Sequence, residues 1–187
     1  MKRVLAIVGM PGSGKGTITE HLESQGFKKI YFGGMVYEEV ERRGLDIVKN
    51  EREVREDMRN QEGKSVLAKR AAKRAKEYFA NGADTVVMDG LYSWSESKYL
   101  LDEFGEDLIV TAVVAPRSLR WKRASDRVDG KRQYTPELVA KRDIEEIENL
   151  EKGGPIAYAD YYFNNIGTPE QLLAEVDEFI EQNNLRP

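Results

Sequence analysis

The stretch Val4-Leu5-Ala6-Ile7-Val8-Gly9-Met10-Pro11-Gly12-Ser13-Gly14-Lys15-Gly16-Thr17 decides the fold. Its first five residues form a continuous apolar run, the pattern of a parallel strand covered on both faces. Gly9, Gly12 and Gly14 then let the backbone curl, so that successive N–H groups converge on an anion. A helix starting near Lys15 adds the positive end of its dipole. Lys15 itself supplies a full charge, suited to the β- and γ-phosphates of a nucleotide. An ordinary strand-to-helix turn would account for the glycines but not for the lysine at this spacing.

Outward from this loop, short β-rich runs alternate with helical patterns. Lys29–Phe32, Thr85–Met88, Leu108–Ala115 and Tyr161–Phe163 read as further strands, Leu108–Ala115 most strongly. Helical patterns cover Thr17–Gln25, Met35–Arg43, the Leu67–Phe79 region, Thr135 to about Leu150, and Pro169–Gln182. Thr135-Pro136-Glu137 is a helix start, with Thr as cap, Pro at the first helical position and an acid in the first turn. The alternation predicts an α/β three-layer sandwich, with a sheet of about five parallel strands and right-handed crossovers. Ligands of such sheets bind beyond the carboxyl ends of the strands. The loop after Val8, Asp89 and Asn164-Asn165 all fall there.

Length and composition narrow the function. The 187 residues predict one domain. A net charge of −4 argues against a general nucleic-acid binder, which needs a basic field. Zero cysteines exclude a disulfide framework and thiolate chemistry, and the single histidine, His21, disfavours a serine–histidine hydrolase. Without a signal-peptide pattern or an apolar run of about 20 residues, no membrane association is expected and the expected location is the cytoplasm. Lys69-Arg70 and Lys73-Arg74 form a basic stripe that reads as a solvated helix face.

The spacing of Gly9, Gly14 and Lys15 fits the Walker pattern, with Gly16 standing where Ser or Thr usually holds Mg²⁺ and Thr17 one position later. This variant resembles the loop of adenylate kinase and other nucleoside monophosphate kinases. Asp89-Gly90 resembles their Asp-Gly after a strand. Ala115-Pro116 with Arg120, Arg123 and Arg127 resembles the opening of their lid, and Arg142 a later lid arginine. Ala159 to Thr168 looks like the final strand and loop of dephospho-CoA kinase, near the adenine. Over Val4 to about Ile180, the chain most resembles a largely archaeal group of P-loop kinases related to both. The resemblance implies a P-loop NTPase sandwich with a short lid over about residues 123–142 and an acceptor-covering helical segment over about residues 33–80. It implies ATP and Mg²⁺. Nucleotide binding would fall to Gly9 through Thr17, Arg123 and Asn165. Catalysis would fall to Lys15, Asp89, Arg123, Arg127 and Arg142, with Arg132 a further candidate, and the metal to Thr17 and Asp89.

The acceptor side departs from that family. Tyr37 and Tyr92 stand where phosphate-gripping arginines are expected, and Gly34 near where dephospho-CoA kinases carry an aspartate. Tyrosine can stack or donate one hydrogen bond but cannot neutralise a dianion. Arg55 or Arg59 would then supply the charge, while Tyr37, Tyr92 and Trp94 suggest an aromatic pocket. Tyr37, Arg59 and Tyr92 are the candidate acceptor residues. The expected activity is phosphoryl transfer from ATP to a small-molecule acceptor that is nucleotide-like. Two alternatives stay open: a dephospho-CoA-like hydroxyl kinase, and a nucleotide-binding switch or slow ATPase with a degenerate acceptor site.

Overall fold

The computed structural model describes residues 2–91, 93–126 and 135–187. Five strands, β1 (Arg3–Val8), β2 (Lys28–Tyr31), β3 (Thr85–Asp89), β4 (Leu108–Val114) and β5 (Tyr161–Asn164), form one sheet in the order β2-β3-β1-β4-β5. Every pairing is parallel; Val4 pairs with Val86 on one side and with Leu108 on the other. β1 therefore lies at the centre, which explains why its apolar run is unbroken.

The alternation of side chains along β1 builds two cores. Val4, Ala6 and Val8 join the core on one face, with α2 (Phe32–Arg42), α4 (Val66–Ala80) and α5 (Trp94–Phe104). Leu5 and Ile7 join the other, with α1 (Lys15–Ser24) and α9 (Pro169–Gln182). α4 meets the sheet through Leu67, Ala71 and Ala75, a stripe of small residues that brings the helix close. Its opposite face carries the basic stripe, where Arg70 donates to Glu62 and Arg74 to Glu38 at the surface. His21 ties α1 to α9, its Nε2 lying 2.7 Å from Asp177 Oδ1, so this histidine is a packing residue.

Helix ends follow the sequence signals. Thr135 caps α7 (Pro136–Glu148) by accepting from Leu138 N. Thr168 and Gln171 form a reciprocal capping box on α9, and Ser93 and Glu96 form another on α5. α3 (Ile47–Glu62) was not evident from periodicity, because it buries only Val54 and Met58 along its length. α6 (Arg117–Ser125) and the short α8 (Gly153–Ala157) complete the α-helices among the described residues, and a 3-10 turn covers Gly105–Asp107. No described helix is long and apolar enough to cross a membrane.

Candidate active site

Residues at or just beyond the carboxyl ends of β1, β2, β3 and β5 line a cavity of about 640 Å³. Its floor is the loop between β1 and α1. Gly12 and Gly14 sit at φ 74° and 105°, the left-handed region that glycine reaches without strain. Space forbids a side chain there too. A Cβ on Gly12 would overlap the Arg120 carbonyl, one on Gly14 the Asn165 amide, and one on Gly9 would come within 2.5 Å of the Val113 carbonyl.

Two buried side chains brace the loop from outside. Arg120 donates to the Pro11 carbonyl at 3.0 Å while both its terminal nitrogens hold Asp143 at 3.0 and 2.7 Å. Trp121 Nε1 donates to the same carboxylate at 2.9 Å. Arg120, which the sequence grouped with the lid, is thus a strut. Asn165, 7% exposed, donates from Nδ2 to the Ser13 carbonyl at 2.8 Å and lines the cavity. Arg123 reaches the Asn165 carbonyl at 2.9 Å and also lines the cavity.

Lys15 Nζ donates to the carbonyls of Gly9 at 2.7 Å and Met10 at 3.3 Å. Desolvation in the cleft, followed by the nearby Lys152 charge, pushes its pKa down from 10.5 to about 7. An ammonium held by neutral carbonyls beneath a glycine cradle suits a polyphosphate. The first amides of α1 have no partners within the helix, and such a helix terminus favours an anion.

Asp89 closes the opposite side. It accepts from Thr19 Oγ1 at 3.1 Å, and burial raises its pKa against the lowering pull of Lys15. The sequence reading paired Asp89 with Thr17, which lines the cavity with an exposed side chain. The hydroxyl bonded to Asp89 is that of Thr19. Its signal was present, since Lys15 and Thr19 are four apart and share one helix face. Asp89 and these hydroxyls are hard oxygen donors. Among the described residues no group of three or more acidic, His or Cys side chains could hold a metal. That donor set fits Mg²⁺, which keeps several waters and is bound by one or two carboxylates together with phosphate oxygens.

Arg142 lies on α7 at the cavity wall, donating from Nε to Glu146 at 2.9 Å. Glu146 also accepts from Lys152, and both residues line the cavity. Burial opposes the charge on Glu146, yet the Lys152 and Arg142 cations outweigh it and hold the carboxyl below its ordinary value. Neither Glu146 nor Lys152 was singled out by the sequence, because each is an isolated charge in a charge-rich segment. Arg127, Arg132 and Tyr92 lie outside the described residues.

On the acceptor side, Tyr31 lines the cavity and meets Tyr37 edge-on, ring centroids 6.1 Å apart. Burial and the neighbouring Tyr37 raise the Tyr31 phenol pKa. Arg59 lies 3.9 Å from Glu96 and Arg55 4.0 Å from Glu51. Tyr37, Arg55 and Arg59 are not among the described residues that line the cavity. Trp94, the first residue of α5, packs edge-on against Tyr158 in a separate apolar groove, apart from Tyr31 and Tyr37.

A family model described as an AAA domain matches residues 8–140. The UPF0200 protein of Thermococcus kodakarensis is 33% identical over 181 residues, covering 96% of this chain and 97% of that protein. Shikimate kinase from Bacteroides thetaiotaomicron superposes with a TM-score of 0.61 at 13% identity, covering 98% of this chain and 99% of its own. A sugar kinase from Janibacter sp. gives 0.59 at 16% identity, covering 97% and 95%. Those two likenesses establish the P-loop kinase fold. The matched loop, fold and relatives together place this chain in the AAA-domain family and, within it, among the UPF0200 proteins.

Proposed function

We propose that this chain is an ATP-dependent small-molecule kinase that moves the γ-phosphoryl group of Mg-ATP to a nucleotide or nucleotide-like acceptor. The observation that carries this reading is the Lys15 ammonium, set in a glycine cradle and facing a cavity that Asp89 closes. The triphosphate would lie along the loop from Gly9 to Thr17, with the nucleoside end toward Arg123 and Asn165. The acceptor would lie beneath α2 and α3, on the side of Tyr31, Tyr37 and Arg59, with Tyr92 a further candidate from the sequence.

Phosphoryl transfer needs positioning and charge stabilisation rather than a protein nucleophile. Lys15 and the loop amides would hold the β- and γ-phosphates. Arg142, with Arg123 and Arg127, would neutralise charge that spreads over the moving group. Asp89 would orient the acceptor and take the proton of a hydroxyl acceptor as its oxygen attacks, while ADP leaves with the electron pair of the broken bond. Mg²⁺, when bound near Asp89, would screen the phosphate charge. Closure over the cavity would exclude water and favour transfer over hydrolysis.

The test is ADP production from Mg-ATP with and without a pool of nucleoside monophosphates, deoxynucleotides, dephospho-CoA and nucleosides. An acceptor-dependent rise of tenfold or more is expected, and division of the pool names the acceptor. A rise only with dephospho-CoA or a nucleoside would favour the hydroxyl-kinase reading. One observation favours a slow ATPase or nucleotide switch: Arg55 and Arg59 lie beside Glu51 and Glu96 rather than in the cavity lining. Equal, slow ADP release with and without the pool would select that reading.

A further inference from the structure

Lys152 occupies the turn between α7 and α8, 137 positions after Lys15 in the chain, yet both side chains line the same cavity. It is 2% exposed, and its Nζ donates to Glu146. Its charge is the strongest neighbouring-charge influence on Lys15, so the two ammonium groups act on one another within the cavity. The pairing with Glu146 does not by itself explain Lys152. Arg142 already serves that carboxylate at 2.9 Å, and a buried ion pair is weak evidence for net stability.

Lys152 follows a tight turn that ends α7. Glu151 sits at φ 55°, one of two described non-glycine residues in the left-handed region. The turn is held by Lys152 N donating to the Glu146 carbonyl at 3.2 Å and Gly154 N to the Glu151 carbonyl at 3.1 Å. This hydrogen-bonded helix end fixes the point at which Lys152 leaves the backbone. Among the described residues, five cationic side chains and three carboxylates line the cavity. That excess of positive charge matches a polyanion and includes two cations beyond Lys15 and the lid arginines: Lys29, which pairs with Glu23, and Lys152.

We propose that Lys152 is a second catalytic lysine, which leaves Glu146 to contact the γ-phosphoryl group as it transfers. This rests on the kinase reading above. Lys152 supplies charge that the missing acceptor-side arginines would otherwise bring. In the step it acts as a point charge and keeps its proton. The bond from the γ-phosphorus to the ADP oxygen breaks, ADP retains the electron pair, and the acceptor oxygen bonds to phosphorus. Glu146 is the resting partner that holds the ammonium inside the cavity before the nucleotide arrives.

The experiment compares binding of Mg-ADP and of the non-hydrolysable β,γ-imido analogue of ATP by calorimetry, on the full chain and its variants. Lys152→Met keeps the apolar stem, and Arg142 still pairs the remaining Glu146. Lys152→Gln, which can still donate to Glu146, replaces it if the methionine variant does not fold. Either variant is expected to change ADP affinity by less than about threefold and to lower the preference for the analogue over ADP by tenfold or more. Glu146→Gln, which frees the ammonium, is expected to preserve or increase that preference. Equal losses for ADP and analogue, no loss for either, or the same fall in Glu146→Gln as in the Lys152 variants would overturn the proposal. Wild-type protein that binds neither nucleotide would instead overturn the kinase reading, and this inference with it.

Discussion

Lys15 carries its ammonium in a cleft where its hydrogen bonds run to two backbone carbonyls, and its pKa falls to about 7. A polyphosphate would restore the charge, so nucleotide binding above pH 7 should take up a proton. Calorimetry in buffers of different ionisation enthalpy should find uptake approaching one proton near pH 8.5, and affinity should weaken as pH rises from 7 to 9. The same shift governs the empty protein. Between pH 7 and 10.5 the unfolded chain binds a proton at Lys15 that the folded chain has shed, so this group makes stability rise with pH across that window. Below pH 7 the cost of burying the charge is fully present. Lys15→Met should therefore raise the melting temperature of the empty protein at pH 7 by a few degrees, or about 1 kcal/mol, and flatten its dependence on pH. It should also abolish stabilisation by Mg-ATP, and a wild-type response in that variant would refute the phosphate-loop assignment.

The element scale separates residues that look alike in the sequence. Arg120 and Arg123 are three apart on α6, a spacing that places them near one another on the helix surface. The first is 8% exposed and spans Pro11 and Asp143; the second reaches across the cavity to the Asn165 carbonyl. Arg120→Met removes the charged partner of a buried carboxylate and should cost about 3–5 kcal/mol in urea denaturation. Arg123→Ala should cost under about 1 kcal/mol in the same measurement. It should instead weaken nucleotide binding by tenfold or more. Equal stability losses in the two variants would mean that both arginines are struts. α3 makes the complementary point about legibility. Asp46 caps it and Gly63 stops it, but its few buried residues conceal the periodicity on which helix recognition depends.

Across the whole molecule, a chain of net charge −4 presents a cavity in which cationic side chains outnumber carboxylates among the described residues. The local field, rather than the net charge, governs capture of an anion. Raising ionic strength from about 0.05 to 0.3 M, where screening shortens to below about 10 Å, should weaken Mg-ATP binding severalfold. Saturating nucleotide at about 100 times its Kd should stabilise the fold by about 2.7 kcal/mol, read as a concentration-dependent rise in melting temperature.

Residues close together in the chain carried the parts legible from sequence alone. The apolar run into Gly9, the glycines with Lys15, the Thr135-Pro136 helix start and the apolar face of Pro169–Gln182 are each local, and local chemistry dictates their conformation. They determined the parallel α/β class, the phosphate cradle and the limits of α7 and α9. The sheet order, the Arg120 strut and the assembly of Lys15, Asp89, Thr19, Arg142, Glu146 and Lys152 around one cavity were decided only by the tertiary structure. The physical reason is burial. A lone lysine or glutamate in a charged segment looks solvated until the packing of distant elements removes water from around it, and then its charge must be matched by a partner or a ligand.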